Sequence, residues 1–333
     1  MARSRILGTG HYLPERVVTN FDLMKVMDTT NEFILERTGI RRRRYADPAD
    51  GTTDLAARAC QAALDDAGLA ADQIDMVVMN TLTPDHYNPA CAFFLQPKLG
   101  ITGIPVFDLR QQCAALLYGL SLADQYVGSG TCRHVLVVCA EILSKFLDTS
   151  NDGRNLSVLL GDGAGAVVVG PTEDESKGIQ SVILHADGSF ATALRTEAPG
   201  CAAGRSRHLT VEDIESGRIY DRMEGRTVFD NGVEKMSGVV EELLAANSLS
   251  VDDIDLIVPH QPNLRMLEAI IERLGFPPEK FFINVVDYGN MASATLPIAL
   301  DQARRAGRIQ EGSLIVLVGF GAGFSWGAGL VRM

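Results

Sequence analysis

No stretch of this 333-residue chain is of low complexity, and no apolar run approaches the roughly 20 residues of a membrane span. Its start, Met1-Ala2-Arg3-Ser4-Arg5, leads toward a strand and lacks the apolar core of a secretory signal. The expectation is a cytoplasmic protein without a membrane segment. The six cysteines (60, 91, 113, 132, 139 and 201) show no paired metal spacing. Most fall in apolar periodic segments, so reduced thiols and no metal site are expected. Positive charge is also short: 30 Lys and Arg against 42 Asp and Glu leave a net charge of −12. That balance argues against a nucleic-acid binder. Local exceptions are Arg41 to Arg44 and the trio Arg304, Arg305 and Arg308. Each is either a solvated cluster or a docking spot for an acidic partner. Gly161-Asp162-Gly163-Ala164-Gly165 lacks the lysine and the following helix of a phosphate loop, so it reads as a tight, closely packed turn.

What is present is a large core. The chain is 46% hydrophobic and 22% charged, enough for one big domain or two intimately joined ones. Apolar strands (75–80, 104–109, 134–139, 156–160, 166–169) alternate with helices (53–68, 90–99, 114–126), which indicates an α/β fold with sheets covered on both faces. The second half repeats the first. Asp72 to Asn80 returns as Asp252 to His260, each after a helix. Ala123-Asp124-Gln125 in the helix opened by Cys113 matches Leu300-Asp301-Gln302 in the helix opened by Asn290. Gly163-Ala164-Gly165 matches Gly321-Ala322-Gly323, with loop 144–158 as the largest insertion. Three landmarks in one order imply two fused copies of a βαβ-rich unit, 1–171 and 172–333. The cleft between them brings together Cys113 from one half with His260 and Asn290 from the other.

Cys113 opens an apolar helix, where unpaired N–H groups and the helix dipole favour a thiolate. Taken singly, it reads equally well as a small core hydrophobe, His260 as a structural histidine and Asn290 as a helix cap. Their shared placement at strand-to-helix junctions favours chemistry. A thiolate captures an acyl group as a thioester. Two fixed donors, an imidazole N–H and an amide, stabilise an enolate formed by decarboxylation of a malonyl thioester. Backbone N–H groups of Cys113 and Ala322 are candidates for a separate oxyanion hole. The same three residue types also serve thiol proteases, where the histidine takes the cysteine proton and the asparagine orients the histidine.

Six segments together resemble the β-ketoacyl-[acyl-carrier-protein] synthase III family of the thiolase superfamily. They are Glu36 to Arg41, the Cys113 segment, Gly161 to Ala166, His260 to Arg265, Gly289 to Ser293, and Gly321 to Gly327. The resemblance implies a homodimer of five-layered αβαβα subunits and no cofactor beyond CoA thioesters as substrates. It implies loading of Cys113 from an acyl-CoA, then decarboxylative condensation with a malonyl thioester, on acyl carrier protein or on CoA. The product is a 3-oxoacyl thioester that starts fatty acid biosynthesis. It also implies roles for Phe33, Arg37, Arg154, Phe229, Asn263 and Phe320 in substrate binding and for Arg265 in carrier-protein docking. Phe33 stands where the family has a tryptophan, Asp152 where it has an arginine, Arg226 where it has an asparagine, and Asn88 where a bulky residue is usual. Arg110-Gln111-Gln112 replaces small residues before the cysteine. With Asn80 to His86 and Glu141 to Lys145, these features are similar to the quinolone-signal branch, which condenses an anthraniloyl group, so a secondary-metabolite enzyme using an aryl or longer acyl-CoA is the alternative.

Overall fold

The computed structural model describes residues 3–174 and 176–333; Met1 and Ala2 of the expected lead-in lie outside them. The N-terminal half builds a five-stranded sheet from β1 (Arg3–Tyr12), β2 (Met76–Asn80), β3 (Val106–Leu109), β4 (Val135–Glu141) and β5 (Gly163–Thr172), in the order β1-β5-β4-β2-β3. The C-terminal half repeats it with β6 (Gly178–Ala186), β7 (Leu256–Pro259), β8 (Leu314–Gly321) and β9 (Ser325–Arg332), in the order β6-β9-β8-β7. Strand senses match as well: β2 runs parallel to β4 as β7 does to β8, and the remaining pairs of the shared four are antiparallel. The place of β3 is taken by a single parallel bridge between Ile257 and Phe281.

Helices α1 (Thr52–Ala67) and α2 (Ala92–Leu99) cover the outer face of the first sheet, and α4 (Gly225–Ala246) and α5 (Leu264–Leu274) that of the second. Between the sheets run α3 (Ala115–Gly128) and α6 (Thr295–Arg305), which completes the five αβαβα layers. Close packing follows from small residues. A Cβ on Gly10 of β1 would stand 2.3 Å from the backbone of Ala63, so α1 lies directly on this strand. Strands β2 and β4 are buried along their whole length, as apolar runs in a two-sided sheet should be.

The duplication is visible in hydrogen bonds too. Asp75 accepts the N–H groups of Arg133 and His134 before β4, and Asp255 accepts that of Leu314 at the start of β8. Two of the sequence matches shift, however. The one-turn helix Gln112–Ala114 before α3 corresponds to Ala292–Ala294 before α6, and both carry a non-glycine residue at positive φ, Gln112 at 52° and Ala292 at 43°. The counterpart of Cys113 is therefore Ser293, with Asn290 three residues upstream. Gly163 opens β5 opposite Glu141, whereas Gly321 closes β8. The two Gly-Ala-Gly runs are not equivalent, because glycine spacing recurs for unrelated packing reasons. The insertion does fall between β4 and β5, where 142–162 stands against 322–324 in the other half. Its expected strand, 156–160, is instead a helical turn Arg154–Ser157, with Leu160 alone bridging to Asn290. Leu156, Leu159 and Leu160 face one apolar cluster, which a single turn also achieves. Strand β3, expected to be buried, is an edge with Phe107 39% exposed.

Candidate active site

The turn after β3 is held from both halves. Asn80 Oδ1 at the end of β2 accepts the Gln111 N–H at 3.0 Å, and Ser325 Oγ donates to the Gln111 carbonyl at 3.2 Å. Gln112 follows in the left-handed region, a cost of order 1–3 kcal/mol for a non-glycine residue. Cys113 then sits in the first turn, in which the Ala114 N–H donates to the Gln111 carbonyl at 3.2 Å. A Cβ on Gly321 would stand 2.7 Å from the Cys113 nitrogen, so only glycine lets β8 come this close. Ala322 is the next residue, in the short turn to β9. The thiol is partly buried, and burial pushes it up to about 12, with the charge of Glu141 adding to the rise. Its own backbone N–H opposes the rise without cancelling it. The stabilised thiolate expected from helix position is thus outweighed by desolvation.

His260 ends β7 with its N–H on the Val318 carbonyl at 2.7 Å. It is 2% exposed, and burial pulls the imidazole down to about 3, so it is neutral at any working pH. Nδ1 lies 2.5 Å from Thr295 Oγ1, which also stands 2.9 Å from the Ala292 carbonyl. That carbonyl already receives the Thr295 backbone N–H. A hydroxyl proton given to Nδ1 leaves Nε2 carrying the ring hydrogen.

Asn290 is stitched into the N-terminal half. Its N–H donates to Leu159 O at 2.8 Å, and its carbonyl accepts from Gly161 N at 2.9 Å. Its Oδ1 accepts the Ala292 N–H at 2.8 Å, which fixes the amide and leaves Nδ2 as a free donor. Cys113 and Ala292 share one apolar cluster, and the turns before α3 and α6 pack on one another. The duplicated junctions thereby converge on one place. Among the described residues, no group of three His, Cys, Asp or Glu side chains is arranged to hold a metal.

The remaining candidates are spread over several elements. Phe33 lies under two guanidinium groups, Arg154 at 4.9 Å and Arg37 at 5.8 Å from its centroid. A planar ring placed between Phe33 and Arg154 would need two ~3.5–4 Å contacts, more than the present 4.9 Å separation allows. Asn263 caps α5 through Oδ1 to Met266 N at 2.9 Å. Arg265 donates to the Leu35 and Glu36 carbonyls and to Glu268, which ties α5 to the Asn31–Thr38 helix and leaves its charge partly neutralised. Phe229 and Phe320 pack with Met266 in the layer under α4 and α5, outside the cluster that holds Cys113. The basic clusters are not patches. Arg43 is fully buried on Asn20 Oδ1 and Val158 O, Arg42 pairs with Asp287, and Arg304 and Arg305 pair with Asp66 and Asp301. Thr295, Ser293 and Asn80 were not singled out from sequence for the site, since short polar side chains carry no local signal.

Comparison with known proteins bears out the fold. Residues 107–188 match the family described as 3-oxoacyl-[acyl-carrier-protein (ACP)] synthase III, and residues 244–333 match its C-terminal counterpart. The β-ketoacyl-[acyl-carrier-protein] synthase III of Thiobacillus denitrificans is 43% identical over 333 residues, covering 100% of both chains. The crystal structure of 3-oxoacyl-[acyl-carrier-protein] synthase III from Aquifex aeolicus superposes with a TM-score of 0.89 at 38% identity, covering 99% of this chain and 100% of that one. The priming β-ketosynthase of a polyketide biosynthetic pathway does so with a TM-score of 0.90 at 36% identity, covering 99% and 97%.

Proposed function

Because the chain belongs to the 3-oxoacyl-[acyl-carrier-protein] synthase III family, we propose that it loads an acyl group from acyl-CoA onto Cys113 and condenses it with malonyl-[acyl-carrier-protein] to start fatty acid synthesis. In the first half-reaction Cys113 Sγ bonds to the acyl carbon. The carbon–sulfur bond to CoA breaks, and the cysteine proton ends on the departing CoA sulfur. In the second, the malonyl carboxylate leaves as CO2 and its electron pair moves into the thioester carbonyl. His260 Nε2–H and Asn290 Nδ2–H hold the resulting enolate oxygen. The carbanion attacks the acyl carbonyl, whose oxyanion is met by the backbone N–H groups of Cys113 and Ala322. Collapse then expels Cys113 as a thiolate, which takes up a proton from water to restore the thiol. Each such donor contributes roughly 10²–10³ in rate.

One observation favours this reading over thiol hydrolysis. A hydrolase asparagine offers its oxygen to the histidine ring. Here Asn290 Oδ1 is taken by Ala292 N, which leaves Nδ2 as the donor, and His260 Nδ1 meets the Thr295 hydroxyl in place of an asparagine oxygen; with the hydroxyl proton on Nδ1, Nε2–H is the second donor. A neutral imidazole suits the task, since a donor that holds its hydrogen does not quench the carbanion.

Phe33 with Arg154, Arg37 and Asn263 line the CoA approach in this account, Phe229 and Phe320 its inner wall, and Arg265 the rim that meets carrier protein. The unpaired edge of β3, where Phe107 is 39% exposed, is where a second copy would extend the sheet into a homodimer, with Phe93 of α2 and Tyr87 of the loop before it also exposed. The reaction balances without a further cofactor, and CoA substrates favour a cytoplasmic location. The polar lead-in, Gln111 on Asn80 and Gln112 at positive φ, supports a second reading in which the donor is an aryl or longer acyl-CoA. Incubation with a panel of acyl-CoAs followed by denaturing mass spectrometry decides between them. A short-chain adduct absent from Cys113→Ala supports the first donor, an anthraniloyl-sized adduct the second. No adduct from any acyl-CoA sinks both.

A further inference from the structure

Glu141 ends β4 wholly inside the protein, and it has no part in the steps above. Its Oε1 accepts from Ser293 Oγ at 2.5 Å. Its Oε2 accepts from Leu82 N at 2.9 Å, Thr83 Oγ1 at 3.1 Å and Thr81 Oγ1 at 3.3 Å. No lysine, arginine or histidine among the described residues pairs with it. The carboxyl is matched in the other half by Gly321, and it reaches across the duplication to Ser293, the counterpart of Cys113. Ser293 lies between Asn290 and Thr295, so this one side chain grips the segment that supplies both the amide donor and the partner of His260.

We propose that Glu141 is a positioning residue for the condensation: it holds the Asn290–Thr295 segment through Ser293, and once ionised it sets a second negative charge against the enolate. The proposal rests on the condensing reading of the site. Burial pushes the Glu141 carboxyl up to about 7, with the hydrogen bonds from Ser293, Leu82, Thr83 and Thr81 limiting the rise. Its titratable neighbours hold their charge state across neutrality. Cys113 and Cys91 are each pushed up to about 12 and Cys139, on the same strand, higher still; all three feel the Glu141 charge. His260 stays neutral from the other side. The Thr81–Thr83 loop and the Ala292–Ala294 turn contribute only hydroxyls and backbone. Glu141 is therefore the group whose charge changes when the pH passes 7. A like charge across a site of low effective dielectric slows formation of the enolate by roughly tenfold or more.

The test is CO2 release from malonyl thioester by acyl-loaded protein, from pH 6 to pH 9, in wild type, Glu141→Gln, Glu141→Ala and Ser293→Ala. Wild-type release should fall about tenfold with a midpoint near 7. Glutamine, shaped like the neutral acid, should flatten the profile and restore the rate that alanine loses. Removing the Ser293 hydroxyl takes away one donor to the carboxylate, so its midpoint should move to higher pH. This arm remains informative where a Glu141 variant fails to fold. A flat wild-type profile, a Glu141→Gln profile with the same fall, or an unmoved Ser293→Ala midpoint overturns the proposal. Absence of an acyl adduct on wild-type Cys113 would instead overturn the condensing reading, and the mass of the loaded protein separates the two failures.

Discussion

The His260 ring and the Thr295 hydroxyl are joined, Nδ1 to Oγ1 at 2.5 Å, between the end of a strand and the first turn of a buried helix. The contact holds Nδ1 on the hydroxyl, which on the proposed mechanism turns Nε2 toward substrate. Thr295→Val keeps the shape and removes the hydroxyl. Decarboxylation should fall by roughly 10- to 100-fold, about 1.4–2.7 kcal/mol of transition-state stabilisation. Thr295→Ser should retain most of it. Single-turnover CO2 release checks both, and acylation of Cys113 serves as the unaffected control.

Desolvation of Cys113 makes a prediction of definite sign. A thiol raised to about 12 exposes ten times more thiolate for each pH unit up to that value. Alkylation by iodoacetamide, read at Cys113 by peptide mass spectrometry, should keep rising through pH 9 and 10. A plateau near pH 7 would mean that the helix terminus outweighs burial after all.

Gly321 tests the close approach of the two halves. Alanine there would place a methyl group 2.7 Å from the Cys113 nitrogen and 2.9 Å from Gln112 Cβ. The turn must move. Stability should drop by about 1–3 kcal/mol, as overpacking usually costs, and acylation should slow by at least 10²-fold because both nucleophile and oxyanion donor shift. Thermal unfolding and stopped-flow CoA release measure the two effects.

On the proposed function, Phe33 and Arg154 act in CoA binding alone. Arg154→Ala should raise KM for acyl-CoA several-fold with kcat unchanged, the signature of lost uniform binding. Phe33→Trp should lower it through added stacking area. Steady-state kinetics against acyl-CoA, malonyl substrate being saturating, separate the two parameters.

The junctions that carry Cys113 and His260 were legible because apolar strands run into abrupt punctuation there, as with Pro262 after His260, whereas a helical turn, Val285–Tyr288, and not a strand stands before Gly289 and Asn290. The repeat was readable through Asp75 and Asp255 because both carboxylates do the same local job, receiving the first N–H of a neighbouring strand. The match of the Gly-Ala-Gly runs misled because similar glycines meet different neighbours. Gly165 leaves room for Pro297 and Ile298 of α6, while Gly321 leaves room for the Cys113 backbone. Leucines 156–160 carry no period that separates a strand from one helical turn. Glu141 stands in the sequence as a charge closing an apolar strand, but Thr81, Thr83 and Ser293 come from distant segments, and only the fold assembles them. Thiolate stabilisation was overestimated because a helix start is visible in sequence and the depth of burial is not.

The central claim is that Asn290 serves the carbanion and not the nucleophile. Asn290→Ala protein should be loaded with acyl-CoA, quenched in acid and weighed before and after addition of malonyl thioester. The account predicts an acyl adduct formed at the wild-type rate that then persists, with CO2 release lowered by 10²-fold or more. Slow formation of the adduct, or its loss by hydrolysis without any malonyl donor, would contradict it.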